Sequence, residues 1–162
     1  LWTVKRRAKL PDPSRPHLGF RLVERLNIGV VAGSCAGIAV YFLANRLLPI
    51  ALPHRADWEI HSLFIAWGAI FTWTIARPVK QAWVEALVAC AGLYALVPVV
   101  SALATQRGLL TSLIARDWIF AGFDLAMMAM AVACGLAAWK VATRQPKTAP
   151  RRKTRELEAV AA

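Results

Sequence analysis

The chain has 162 residues, of which 58% are hydrophobic and only 18% charged, with a mean hydropathy of +0.48; soluble globular domains carry roughly 25% charged residues. Its apolar runs are apolar all the way round rather than on one face, which argues against a soluble helical bundle, and an open sheet is excluded because unsatisfied strand-edge groups cannot face lipid. The formal charge of +11 raises nucleic acid as a partner, but the placement of the basic residues along the chain points instead to the two surfaces of a membrane.

The chain opens on Leu1-Trp-Thr-Val followed by Lys5-Arg6-Arg7, an aromatic and then a basic cluster, as where a helix leaves a membrane on the cytoplasmic side. Residues 1–19 are therefore read as the end of a preceding span and a linker, in which Pro11, Pro13 and Pro16 deny regular helix. The lead-in 20–26, Phe-Arg-Leu-Val-Glu-Arg-Leu, is amphipathic and is expected to lie along the membrane surface.

A hydrocarbon core takes about 20 mostly apolar residues in a helix. The uncharged runs 26–45, 60–76 and 86–106 approach or reach that length, and a fourth, 118–139, is interrupted only by Asp124. The reading is an all-α integral membrane protein, a four-transmembrane-helix bundle with spans at about 27–47, 58–77, 82–104 and 117–140 inside a domain 27–140. Span one carries Gly29, Gly33 and Gly37 at four-residue intervals, continued by Tyr41. Such a row lets either a second backbone or a flat ligand approach closely. Span two opens with Asp57, placed to cap the helix, and ends at Arg77-Pro78; Trp58 suits the interface, with Trp67 and Trp73 deeper. Span three contains Pro98, expected to kink or loosen its last turns. The tail 141–162 is proline-rich, basic, then acidic, and is expected to be disordered.

Topology follows from charge. The first segment (Lys5, Arg6, Arg7, Lys9, Arg15, Arg21, Arg25), the loop between spans two and three (Arg77, Lys80) and the last segment (Lys140, Arg144, Lys147, Arg151, Arg152, Lys153, Arg155) hold sixteen of the 20 basic residues. Arg46, Arg55, Arg107 and Arg116 are left for the other two loops. By the positive-inside rule both termini are cytoplasmic, which an even number of spans permits. The basic ends then meet anionic lipid headgroups rather than nucleic acid.

Ionisable groups within a span are functional candidates by default. His61 and Asp124 fall in the outer parts of spans two and four, and Glu59, Asn45 and Arg46 at outer helix ends, so all five are expected to converge on the extracytoplasmic third. His61, Ile65, Gly68 and Thr72 share a stripe at helical spacing. A histidine above such a stripe can ligate haem iron in a helical bundle, or serve as an ordinary hydrogen-bonding group near the interface. Two axial histidines would be needed for bis-histidine haem b, and His17 and His54 belong to opposite sides of the membrane; a second ligand would come from another segment or chain. Asp124, followed along its helix by Met128, Ala131 and Gly135, reads as a structural hydrogen-bond partner or as a proton or charge relay. Glu85 is expected beside Arg77 and Lys80. The three cysteines, Cys35, Cys90 and Cys134, read as core residues without disulfide or metal spacing. Soluble-enzyme signatures are absent.

The segments YFLANRLLP, DWEIHSLFIAW, ARPVKQAW and DWIFAGFDL, in that order, resemble the carboxy-terminal membrane part of the PepSY-associated transmembrane family, from the opening LWTVKRR to about Trp139. The matching positions are Asn45, Arg46, Trp58, Glu59, Trp67, Arg77, Pro78, Trp83 and Asp124; His61 is not among them. The resemblance implies a bacterial inner-membrane protein of siderophore-iron uptake, similar to ferrisiderophore reductases that bind b-type haem and pass electrons across the membrane. Family members have earlier spans and a periplasmic PepSY region, which would precede Leu1. The competing readings are a non-catalytic membrane scaffold or partner subunit, and a small transporter component using Asp124.

Overall fold

The structure is a computed structural model and describes residues 18–105, 114 and 116–144. The linker with its prolines, His17, most of the polar segment before Asp117 and the tail beyond Arg144 lie outside the described residues. The described residues form four long helices: α1 (Leu18–Leu47), α2 (Arg55–Ala76), α3 (Val79–Thr105) and α4 (Trp118–Thr143). Each is long and apolar enough to cross a bilayer, as expected from the sequence. The lead-in does not stand apart from span one: α1 is a single rod of 30 residues, about 45 Å long at roughly 1.5 Å per residue.

Helix boundaries follow local chemistry. Arg77, extended at φ −104° and ψ 154°, precedes Pro78, whose ring disfavours the helical region for its predecessor, so α2 stops and α3 starts at once, with Ala82 N donating to the Pro78 carbonyl at 2.8 Å. The start of α2 differs from expectation. The helix begins at Arg55 behind His54, which sits in the left-handed region at φ 55° and gives no side-chain cap. Asp57 is therefore inside the first turn rather than at the cap, and its carboxylate lies 3.4 Å from His54 Nδ1. Pro98 is buried within α3, which runs on past it to Thr105.

In lipid, helices gain little from hydrophobic burial against one another, and small residues that allow close backbone approach hold them together. The helix α1 carries two such faces. The first is the glycine row, which takes α2: a Cβ on Gly29 would lie 2.5 Å from Phe71 Cδ2, one on Gly33 would run into Trp67 Cδ1, and one on Gly37 would lie 2.9 Å from the Leu63 carbonyl oxygen. Trp67 Nε1 donates to the Gly29 carbonyl at 3.2 Å across this seam. Of the two uses open to the glycine row, the structure assigns it to helix packing. The second face is Ala32, Ala36 and Ala39, buried with Ala82, Ala86, Cys90 and Tyr94 of α3; Cys90 Sγ donates to the Ala32 carbonyl at 3.3 Å. The helix α4 lies against α3 in antiparallel register, so the helices succeed one another as α2, α1, α3, α4, with only a small area shared by α2 and α3.

Cys90 and Cys134 are buried in this core and Cys35 half-buried, all three with free thiols. The outward surface is large and greasy: Ile119 is 83% exposed and Ile65 66%. A surface of that kind is covered by lipid or by other apolar partners.

The α1–α2 seam is testable by adding one methyl group. Gly37→Ala forces backbone movement at Leu63 and is expected to cost about 1–3 kcal/mol. Gly68→Ala, with nothing within 4 Å of the new methyl, is expected to be neutral or to stabilise by up to about 1 kcal/mol through helix propensity. Unfolding of the two variants in mixed micelles checks the contrast.

Candidate functional site

The polar side chains gather at the two ends of the bundle. One end holds the start of α1, the α2–α3 turn and the close of α4, and is rich in arginine and lysine; the other, the loop end, holds the close of α1, the start of α2 and the start of α4.

At the loop end, Glu59 is buried although it belongs to the first turns of α2. Its carboxylate is compensated from two directions. Asn45 Nδ2 donates to Glu59 Oε1 at 3.1 Å, and Arg55 Nε lies 3.3 Å from the same oxygen. Arg55 Nη2 also donates to the Asn45 backbone carbonyl, so the guanidinium bridges both residues. A buried carboxylate without such partners would be strongly unfavourable. Here the arrangement staples the last turn of α1 to the first turn of α2.

One turn away, Arg46 Nη1 donates to the Phe42 carbonyl at 3.3 Å, and its guanidinium stands 4.8 Å above the ring of Phe123, a cation–π contact. Phe42 meets the same ring edge-on at 5.0 Å between centroids. Asp124 follows Phe123 on α4 and is 3% exposed. Ser101, in the last turns of α3 at the same end of the bundle, is buried as well. The loop end thus holds a polar layer of Asn45, Arg46, Arg55, Glu59, Ser101 and Asp124.

All five expected residues belong to the loop end of the fold, four of them in two adjoining groups: Asn45 with Glu59, and Arg46 with Asp124. His61 does not join them. It lies on the exposed face of α2, its ring 5.9 Å from that of Trp58 in an edge-on contact. Gly68 and Thr72 are exposed too; the Thr72 hydroxyl donates to the Gly68 carbonyl at 2.7 Å. At that end His61 faces outward rather than into the cluster, because α2 presents Leu63, Trp67, Phe71 and Thr74 to α1 and turns the stripe through Gly68 and Thr72 to the outside. On α4, Met128 is exposed while Asp124 is buried, so that stripe is not one buried face either. No group of three His, Cys, Asp or Glu side chains among the described residues is arranged to hold a metal ion.

Arg55, Ser101 and Phe123 are the members of the layer that sequence reasoning missed. Arg55 and Glu59 stand at the i, i+4 spacing of a helical ion pair, a signal legible once the helix is started at residue 55 rather than 58. Ser101 and Phe123 carry no such mark.

The basic end repeats the pattern with different residues. Trp73 Nε1 donates to Glu85 Oε2 at 2.6 Å, Arg77 Nε lies 3.4 Å from the same oxygen, and the Arg77 guanidinium stands 4.5 Å over the Trp73 ring. Glu85 thus has the expected Arg77 as partner, whereas Lys80 turns to the carbonyl end of α4.

A double-mutant cycle reads the Arg46–Asp124 coupling. Arg46→Met removes the cation–π contact with Phe123, the neighbour of Asp124, and is expected to destabilise by about 1–3 kcal/mol, while the same change in an Asp124→Asn background costs less by about 1 kcal/mol if the two charges are coupled. Additivity of the two substitutions within about 0.5 kcal/mol would show that the charges are not coupled.

Comparison of the chain with protein-family models, curated proteins and solved structures finds no match.

Proposed function

We propose that this chain is the distal membrane part of a PepSY-associated transmembrane protein of a bacterial inner membrane, working in haem-dependent reduction of ferric siderophores. The observation that carries the reading is the open face of α2. His61 and the stripe Ile65, Gly68 and Thr72 are exposed, and a Cβ at Gly68 would meet nothing within 4 Å. An exposed imidazole on a face that is open at Gly68 could serve as one ligand of a haem b iron.

The fit within the chain is one-sided. Among the described residues no second histidine faces His61; His54 lies beside Asp57 at 3.4 Å. On this reading the second ligand comes from another segment or another chain. Haem, when bound, supplies one-electron transfer. What this chain contributes on this reading is one ligand, a flat floor at Gly68, and a rigid α1–α2 pair that fixes where that floor stands. The basic end faces the cytoplasm by the positive-inside rule, which puts the Asn45–Glu59 and Arg46–Asp124 layer on the outer side, where the ferric substrate would arrive.

A specific observation favours a second reading, a non-catalytic scaffold or partner subunit: Glu59, the buried acid at the start of α2, is already engaged by Asn45 and Arg55. The third reading is a small transporter component using Asp124. Retained uptake in an Asp124→Asn variant would remove that alternative.

The visible spectrum of the purified full-length protein separates the first two readings. A dithionite-sensitive b-type band, lost or halved in His61→Ala while the protein remains folded, is the result expected of the reductase. No such band in the wild type leaves the scaffold.

A further inference from the structure

We infer that the corner formed by the α2–α3 turn and the last turn of α4 binds the phosphate of an anionic phospholipid, with Lys80, Lys140 and Arg144 as its ligands. The corner is assembled by the bond from Lys80 Nζ to the Arg144 carbonyl at 3.1 Å, which brings the first turn of α3 to the foot of α4. Lys140 and Arg144 are four residues apart and share a face of that foot. All three side chains belong to exposed residues.

Their charge is not answered from within these two helices. The carboxylate that α3 and α4 place at this end is Glu85, and it is already held by Arg77 at 3.4 Å and Trp73 at 2.6 Å. Capping the carbonyl end of α4 uses one of the three donors of the Lys80 ammonium, and the others remain for a ligand. Cations beside an apolar surface, where the effective dielectric is low, attract an anion more strongly than they would in water.

The surroundings point to a lipid rather than a soluble anion. Trp139 is 67% exposed immediately before Lys140, and Leu136, one turn deeper, is 59% exposed. An indole next to a lysine is the arrangement found at the level of headgroups, and the apolar surface below it gives acyl chains somewhere to lie. The site differs from the general attraction of a basic surface for anionic membranes in being local: Arg21 is also exposed and belongs to the same end of the bundle, but it stands on α1, away from the foot of α4.

The test compares Lys140→Gln, Arg144→Gln and Arg21→Gln in the full-length protein, each removing one charge from the same end of the bundle. Thermal midpoints are measured in pure phosphatidylcholine vesicles and in vesicles with added phosphatidylglycerol, and separately with inorganic phosphate in phosphatidylcholine. The wild type is expected to gain roughly 5 °C from phosphatidylglycerol, as a ligand well above its dissociation constant would give. Lys140→Gln and Arg144→Gln should lose at least half of that gain and Arg21→Gln should keep it. Equal losses in all three variants would mean diffuse attraction, and no gain in the wild type would mean no site; either result overturns the proposal. The same gain from inorganic phosphate alone would overturn the assignment to a lipid. Native mass spectrometry of retained phosphatidylglycerol gives a second readout, in which the Lys140 and Arg144 variants should retain less than wild type and Arg21→Gln as much.

Discussion

The fold depends on α1 being able to receive a helix on each of two neighbouring faces. Gly29, Gly33 and Gly37 take α2, while Ala32, Ala36 and Ala39 take α3, and a three-residue offset puts these rows about 60° apart around the helix. Between helices in lipid the attraction is close van der Waals contact and a few hydrogen bonds, because hydrocarbon solvates a leucine as well as a protein does. The two cross-helix bonds onto α1 backbone, from Trp67 to the Gly29 carbonyl and from Cys90 to the Ala32 carbonyl, are possible because those rows let the neighbours in. The helix α4 depends on α1 chiefly at one end, where Phe42 and Arg46 meet Phe123.

With the middle of the bundle held by small apolar side chains, the ionisable groups are confined to its ends, and there they follow one scheme. Glu59 is shared by an arginine and an amide, and Glu85 by an arginine and an indole. Each cluster joins two successive helices next to the connection between them, the first tying α1 to α2 and the second tying α2 to α3. Consecutive hairpins are therefore fastened at opposite ends of the bundle. Sliding α2 along its axis would break the buried Glu59 pairing at one end and the half-exposed Glu85 cluster at the other, and breaking the buried pairing is costly even where forming it gains little.

Hydropathy and charge made the existence of the spans legible, because both depend only on how many apolar residues run together. The glycine row was legible for the same reason: its spacing is a property of one helix. The rotation of α2 was not. Its small stripe through Gly68 and Thr72 invites the same reading as the row on α1, yet α2 packs through Leu63, Trp67 and Phe71. A groove made by small residues on one helix is filled by large residues on the other, so two small faces do not have to meet. Knowing which helix supplies the groove and which the ridge requires the pairing, and one sequence does not contain it. The Arg55–Glu59 pair was hidden by a smaller error, since the helix begins earlier than the apolar run does.

The outward rotation of α2 changes where a function has to be sought. Had His61 faced the interior, the site would be enclosed by the four helices and could be judged complete or incomplete from them alone. Instead Glu59 is held by Asn45 and Arg55, and the imidazole stands on a face with Trp58 beside it and open space at Gly68. A polar side chain within a span is unfavourable against hydrocarbon and is usually directed toward a partner, a cavity or the interface. On the proposed reading the partner is a further helix with haem between the two, and the chemistry lies at the edge of this bundle. The rigid α1–α2 seam then has a purpose beyond stability: it fixes the distance from that edge to the outer polar layer, which a reductase delivering electrons to an external ferric complex would have to keep constant.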